Sequence, residues 1–368
     1  MRVGDLRLGA ALLFAALFVF ARAAEPAALE RAVVSARGIV TTKIAPKVPG
    51  VSVAVGVDGA IVWSEGFGLA DLAANKPVTR ATRFRIGSIS KSIAAAGLML
   101  LVERGQLDLD APVQRYVPDF PIKAEGVITT RQLAGHLGGI RHYHGEREMQ
   151  LNRPFATVHA GLALFAHDPL VAAPGVKYHY STHGWTLISA AMETAAREEF
   201  LGFMEKNVFG PLKMTHTRAD RAGTADPHRT EFYTGEPGKF AVAPTVDNSY
   251  KWAGGGFLSN TEDLVRFGSA HLQAGFLKSA SLALMFAPQQ TADGKATDYG
   301  IGWRVLNDAR GHRIVMHTGG SIGGTSVLLL HPTTKTVVAM VCNHSRSPFA
   351  KEAYEAIAEL FAPVFVGK

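Results

Sequence analysis

One cysteine in 368 residues excludes an internal disulfide and any thiolate metal cluster. That residue, Cys342, lies inside the apolar run TVVAMVCNH, where a buried strand thiol is expected. The chain must therefore hold its fold by packing alone. It also lacks a long charge run, a low-complexity tract and a fixed-period repeat. The formal charge is +7, yet Lys and Arg are scattered and no aromatic–basic stripe forms, so nucleic acid is not an expected partner. H-E-x-x-H is missing, and neither His142 with His144 nor His179 with His183 has an acidic residue at ligand spacing. No metal and no cofactor are expected on that basis.

The apolar stretch from Leu8 to Phe20 is shorter than the roughly 20 residues of a membrane span. Arginines precede it, and Ala21 and Ala23 follow. Residues 1–23 therefore read as an export signal cut after Ala23, with a periplasmic destination. Retention of residues 8–20 as a membrane anchor is the alternative. Residues 24–45 form a lead-in, and 46–368 a single catalytic unit long enough to bury a large core.

Within that unit, PGVSVAVGVDGAIVWSEGFG predicts two strands joined at Val57-Asp58-Gly59-Ala60, because Asp-Gly between β-rich runs signals a hairpin. From Ser88 to about Arg104, Ile89, Ile93, Ala96 and Leu100 repeat at helical spacing, with Gly105 at the stop. Residues 106–297 alternate helical segments with Pro- and Gly-rich loops. One segment, SNTEDLVRFGSAHLQAG, opens on the capping box Ser259-x-x-Glu262. Strand character returns in YGIGWRVL, HRIVMH, TSVLLLHP and TVVAMVCN, and a helix from about Pro348 to Phe361 closes the chain. Strands at both ends with helices between predict an α+β fold. One antiparallel sheet is built from 46–105 and 298–368 and flanked by terminal helices; 106–297 forms a mostly helical lobe, with the site in the cleft between lobes.

Three stretches carry chemistry. In FRIGSISKSI, Ser88 and Lys91 stand one helical turn apart at a helix start, so their side chains share a face. A serine hydroxyl needs a neighbour to take its proton, and desolvation at a positive helix end lowers a lysine toward a useful base. In PGVKYHYSTHGW, Tyr180 precedes a helix and could relay a proton, with Tyr178 as the competing phenol. In MHTGGSIGG, His317-Thr318-Gly319-Gly320 follows a strand-like run, where a backbone N–H can complement that of Ser88 around an oxyanion; a glycine-rich hairpin turn is the alternative. Gly319 to Gly323 also spell G-x-S-x-G, but TSVLLLHP reads as a strand where a nucleophile elbow needs a helix, so Ser321 is set aside. His136 is read as packing or hydrogen-bonding inside its helix rather than ligating a metal.

Ser-x-x-Lys, Tyr-x-Thr and His-Thr-Gly, in that order, make the chain resemble the serine β-lactamase-like superfamily of penicillin-binding proteins, class C β-lactamases and related esterases. More closely, it resembles the mitochondrial branch and its bacterial relatives. The resemblance runs from about Val48 to Phe361 and rests on PGVSVAVGVDGAIVWSEGFGLAD, ISKSI, LDLDAPVQRYVPDFP, HLGGIRHY, YSTHGWTLI, VDNSYKWAGGGFLS and HTGGSIGGTSVLLLHP. It implies Ser88 as acyl-accepting nucleophile, Lys91 as its partner and Tyr180 as the second-motif phenol. It further implies His317 as the first residue of the third motif, and an oxyanion hole from the N–H groups of Ser88 and Gly320. Thr182, Thr318, Gly319, Asn248 and Lys251 are the implied substrate contacts.

Two departures stand out. Thr182 replaces the usual Asn of the second motif, and His317, charged only part of the time near neutral pH, replaces the usual Lys of the third. Both weaken a β-lactamase reading and leave acyl transfer intact. The expected function is an exported serine hydrolase acting on a small-molecule or peptide substrate, as an esterase or peptidase. A weak β-lactamase or penicillin-binding protein, or a self-assembling homo-oligomer with minor turnover, are the alternatives.

Overall fold

A computed structural model describes residues 26–365. The export signal expected at 1–23 lies outside the described residues. Seven strands make one antiparallel sheet: β1 (Gly50–Val57), β2 (Ala60–Asp71), β3 (Lys76–Pro77), β4 (Arg304–Asn307), β5 (Arg313–Ser321), β6 (Gly324–His331) and β7 (Thr336–Cys342). Their order is β3-β2-β1-β7-β6-β5-β4, so the two chain ends meet where β1 pairs with β7, Val51 opposite Cys342. The α+β architecture read from the sequence is the one observed.

Every residue of β1, β6 and β7 is buried, because both faces of the sheet are covered. Side chains alternate between faces. Val51, Val53, Val55 and Val57, with Val338, Met340 and Cys342, meet helix α1 (Pro26–Ile39) and the closing helix, here α5 (Lys351–Phe365). The opposite face meets α2 (Ile89–Glu103) and α4 (Thr261–Ala270). Trp63 on β2 stacks on Phe361 of α5. Between α2 and α4 runs α3 (Thr182–Ala196), the main helix of the second lobe.

Several local expectations are corrected. Helix α2 is buried nearly all round; Leu100, assigned to its apolar face, is partly exposed, as are Val102 and Glu103. Helix α4 falls within 106–297 yet packs on the sheet, where Gly56 and Gly268 leave room for Val265 and Val337. Its cap is Asn260, whose side chain accepts the N–H of Asp263, while Ser259 bonds Thr217 and Glu262 pairs with Arg80 and Arg266. The run YGIGWRVL forms a strand only from Arg304, because Tyr299 and Trp303 turn into the core. HTGG is not a turn: β5 runs through Ser321, and Ile322-Gly323 makes the hairpin.

Candidate active site

Ser88 occupies the N-cap position of α2, but its side chain makes no capping hydrogen bond. A serine there normally spends its oxygen on the helix; this hydroxyl is free. It is also the half-buried residue in the otherwise buried run from Thr82 to Met99. One turn on, Lys91 is fully buried with its Nζ 2.9 Å from Ser88 Oγ and 3.1 Å from Thr182 Oγ1, and it donates to the carbonyl of Gly254. No ion pair reaches Lys91 among the described residues. Burial first, then the charge of Lys251, holds it well below the ordinary lysine range. Its Nζ thus has three polar neighbours, the Gly254 carbonyl and the hydroxyl oxygens of Ser88 and Thr182, and no carboxylate among the described residues.

Ser181 sets the second motif. Its hydroxyl caps α3 by accepting the N–H of Gly184 and donates to the carbonyl of Arg141. Tyr180 therefore lies just outside the helix and Thr182 just inside it. The Tyr180 ring is 4.8 Å from Lys91 Nζ, and its phenol interacts with the Ser88 hydroxyl. Burial raises its pKa, so it remains a phenol at neutral pH. Thr182, expected at the substrate, is buried and instead holds Lys91.

The third motif is a free strand edge. Strand β4 pairs with β5 only as far as Met316, opposite Arg304. With Ser321 and Gly324 closing a two-residue hairpin, the N–H groups of Thr318 and Gly320 point away from β6, toward the cleft. Gly87 has φ +48°, and a Cβ there would lie 2.6 Å from the Gly320 nitrogen. A Cβ on Gly319 would lie 1.9 Å from the Ile86 carbonyl oxygen. These two glycines let the strand abut the turn that carries Ser88. Gly319, expected at the substrate, is spent on this contact, whereas Thr318 and Gly320 are exposed.

His317 differs from its expected state. Its Nδ1–H donates to the Thr318 carbonyl at 2.6 Å, and its Nε2 accepts the Tyr299 hydroxyl at 2.8 Å. Burial, then the charge of Lys91, pushes its pKa down to about 3, so the ring is neutral rather than partly charged. Tyr299 was missed by sequence reasoning because it was assigned to a strand. His136 was also misplaced: its helix ends at Ala134, and at φ +62° its ring sits between Tyr180 and Tyr299, at 4.2 and 4.5 Å. Its Nδ1 accepts the N–H of Ser181. His142 accepts the N–H of Thr182, and His183 bonds Glu148.

The two remaining candidates separate. Asn248 donates to Asp220, the partner of Arg85, so its amide braces that buried ion pair. Lys251 is buried, with its ammonium 5.0 Å from the Tyr250 ring and 5.3 Å from that of Tyr143, and burial lowers its pKa to about 7. A cavity of about 500 Å³ lies beside Tyr178, lined also by Thr297, Asp298 and Arg304. Arg304 is a cation at this edge of the cleft that no motif announced; it acts on Tyr178, Tyr180 and His317.

Residues 32–362 match the family model described as Beta-lactamase. The chain is 33% identical over 401 aligned positions to the human mitochondrial serine beta-lactamase-like protein LACTB, covering 80% of this chain and 73% of that one. Among solved structures, a D-stereospecific amidohydrolase from Streptomyces sp. superposes with a TM-score of 0.72 at 22% identity, covering 90% and 98% of the two chains. EstCE1, described as a hydrolase with promiscuous acyltransferase activity, gives 0.75 at 22%, covering 91% and 99%. With its free serine beside a buried lysine and its open strand edge, the chain belongs to the Beta-lactamase family of serine hydrolases.

Proposed function

We propose that this protein hydrolyses amides or esters through an acyl-enzyme on Ser88. The observation that carries the reading is Lys91: buried, without an acidic partner, and 2.9 Å from a serine hydroxyl that caps nothing. Lys91 accepts the Ser88 proton as Oγ bonds the substrate carbonyl carbon. The oxyanion so formed is met by the N–H groups of Ser88 and Gly320. Tyr180, kept as a phenol, gives its proton to the departing nitrogen or oxygen and is restored by the Lys91 ammonium. Water then attacks the acyl carbon and loses a proton to Lys91; the bond from that carbon to Ser88 Oγ breaks as the Lys91 ammonium returns the proton to the serine, releasing the acid.

Amide and ester turnover fits better than β-lactam turnover. A neutral His317 offers no cation to a β-lactam carboxylate. Of the proteins that share the fold, one is described as an amidohydrolase and another as a hydrolase with acyltransferase activity, which is in keeping with acyl transfer from an amide or ester. The test is intact-mass spectrometry after a fluorophosphonate probe, followed by kinetics on nitrophenyl esters, peptide amides and a chromogenic cephalosporin. One adduct on the wild type and none on Ser88→Ala, with ester or amide turnover exceeding that of the cephalosporin, is the expected result. An unlabelled wild type, or equal labelling of the variant, overturns the assignment.

A further inference from the structure

We propose that Asp308, His312 and His331 form a zinc-class metal site at the far end of the sheet. Among the described residues these three side chains bring their ligand atoms within 4.8 Å of one another. The site is built into the turn between β4 and β5. Asp308 Oδ1 accepts the N–H groups of Arg310 and His312, at 2.9 and 2.8 Å, which fixes the carboxylate. Its Oδ2 is turned toward both imidazoles, 3.2 Å from His312 Nδ1 and 3.4 Å from His331 Nε2. The Asp308 side chain is 6% exposed and that of His331 11%, whereas His312 is half exposed at 50%.

The spacing matches tetrahedral coordination. Zinc–nitrogen and zinc–oxygen bonds of about 2.0–2.1 Å give a ligand–ligand edge of roughly 3.3 Å. Two of the three edges are already near that length. The third closes by rotation of His312, which sits on an exposed turn with its ring 5.6 Å from that of His331. Solvent on the His312 side supplies the fourth position. Two imidazoles and one carboxylate select borderline ions over magnesium or calcium, which want more oxygen. Binding at His331 Nε2 moves its proton to Nδ1 and gives up only a long 3.4 Å contact from the Thr334 N–H. Glu355 on α5 lies close enough for the charge of Asp308 to act on it, and its Oε1 is paired at 3.6 Å with Lys351.

Spacing rules overlook this trio because His331 is distant in sequence from Asp308. Antiparallel register, with Val315 opposite Leu330, carries it to the base of the turn. His331 is seven residues along β6 from Gly324 at the catalytic end, about 23 Å at the rise of a strand. A bound ion therefore acts as a staple between the edge hairpin and β6, separate from the acyl-transfer chemistry.

The experiment is calorimetric titration of untagged, chelator-stripped protein with zinc chloride, together with thermal unfolding. The expected result is one site of micromolar or tighter affinity and a higher melting temperature with zinc. Asp308→Asn, which keeps the acceptor for the turn, and His331→Gln should each weaken that site at least roughly tenfold and abolish the thermal shift. Both should keep wild-type turnover in metal-free buffer. No zinc binding by the wild type, or binding that survives unchanged in both variants, overturns the proposal.

Discussion

Lys91 Nζ and Ser88 Oγ stand 2.9 Å apart, and the two other polar neighbours of the amine, Gly254 O and Thr182 Oγ1, leave its third direction to the serine. Among the described residues no carboxylate pairs with the lysine, and the proposed mechanism gives it the part of base. Lys91→Ala should lower kcat/KM by about 10²–10⁴-fold, the usual weight of a positioned general base. Ser88→Ala should abolish turnover. Both variants should keep the wild-type far-ultraviolet circular dichroism. A Lys91→Ala enzyme within a few-fold of wild type would remove the lysine from the mechanism.

Lys251 acts on Lys91 through charge, and its own pKa is lowered to about 7 by burial. Its removal has a defined sign. Without that neighbouring charge the Lys91 pKa rises, so in Lys251→Met the acidic limb of the kcat/KM profile should move to higher pH. Stability should change in the opposite sense. Wild type carries a lysine whose folded pKa lies below its unfolded value, so the folded state binds fewer protons. It therefore loses stability as pH falls from about 10 to 7 and levels off below that. Denaturant unfolding of the variant should show this slope reduced; an unaltered slope would place the titration elsewhere.

Gly87 is held at φ +48° against the Gly320 backbone. An added methyl group must push the strand edge away from Ser88 and strain the turn, at about 1–3 kcal/mol for the conformation alone. Gly87→Ala should therefore lower kcat by about 10²–10³-fold through the displaced N–H donor, with a smaller change in KM. A variant with lowered melting temperature but intact kcat would show that Gly320 N–H does not meet the oxyanion.

His317 is a neutral ring held from both sides, by Tyr299 at Nε2 and the Thr318 carbonyl at Nδ1. Its imidazole signals in nuclear magnetic resonance should not move between pH 5 and 8, given a pKa of about 3. Tyr299→Phe leaves that buried nitrogen without a donor and should cost about 1–3 kcal/mol in urea unfolding. Titration of His317 near pH 6.5 in the wild type would contradict this arrangement.

Much of the fold was legible in the chain because it rests on local patterns. The Asp58-Gly59 hairpin, the buried run around Cys342 and the helix after Ser88 follow from turn chemistry and apolar spacing, and each appears where the pattern put it. The Ser88–Lys91 pair was also readable, since one helical turn brings residues three apart together whatever surrounds them. Burial decides the rest. Thr182, Gly319 and Asn248 resemble substrate contacts in the sequence, yet packing spends them on Lys91, Ile86 and Asp220. His136, though it opens the matched stretch HLGGIRHY, and Tyr299 were given no place at the site by any pattern.

The order of elements and the pairing of Ser88 with its nearest amine were determined by the amino-acid sequence alone, because helix and strand periods act between near neighbours. Only the tertiary structure decided that Lys91 lacks an ion pair among the described residues, that His317 is neutral and that the Gly320 edge is free. Lys91 is surrounded by groups more than 80 residues away in the chain, and the burial that keeps His317 neutral comes from packing across the sheet. The charge state of a buried group depends on what surrounds it, and those surroundings do not exist until the chain is folded.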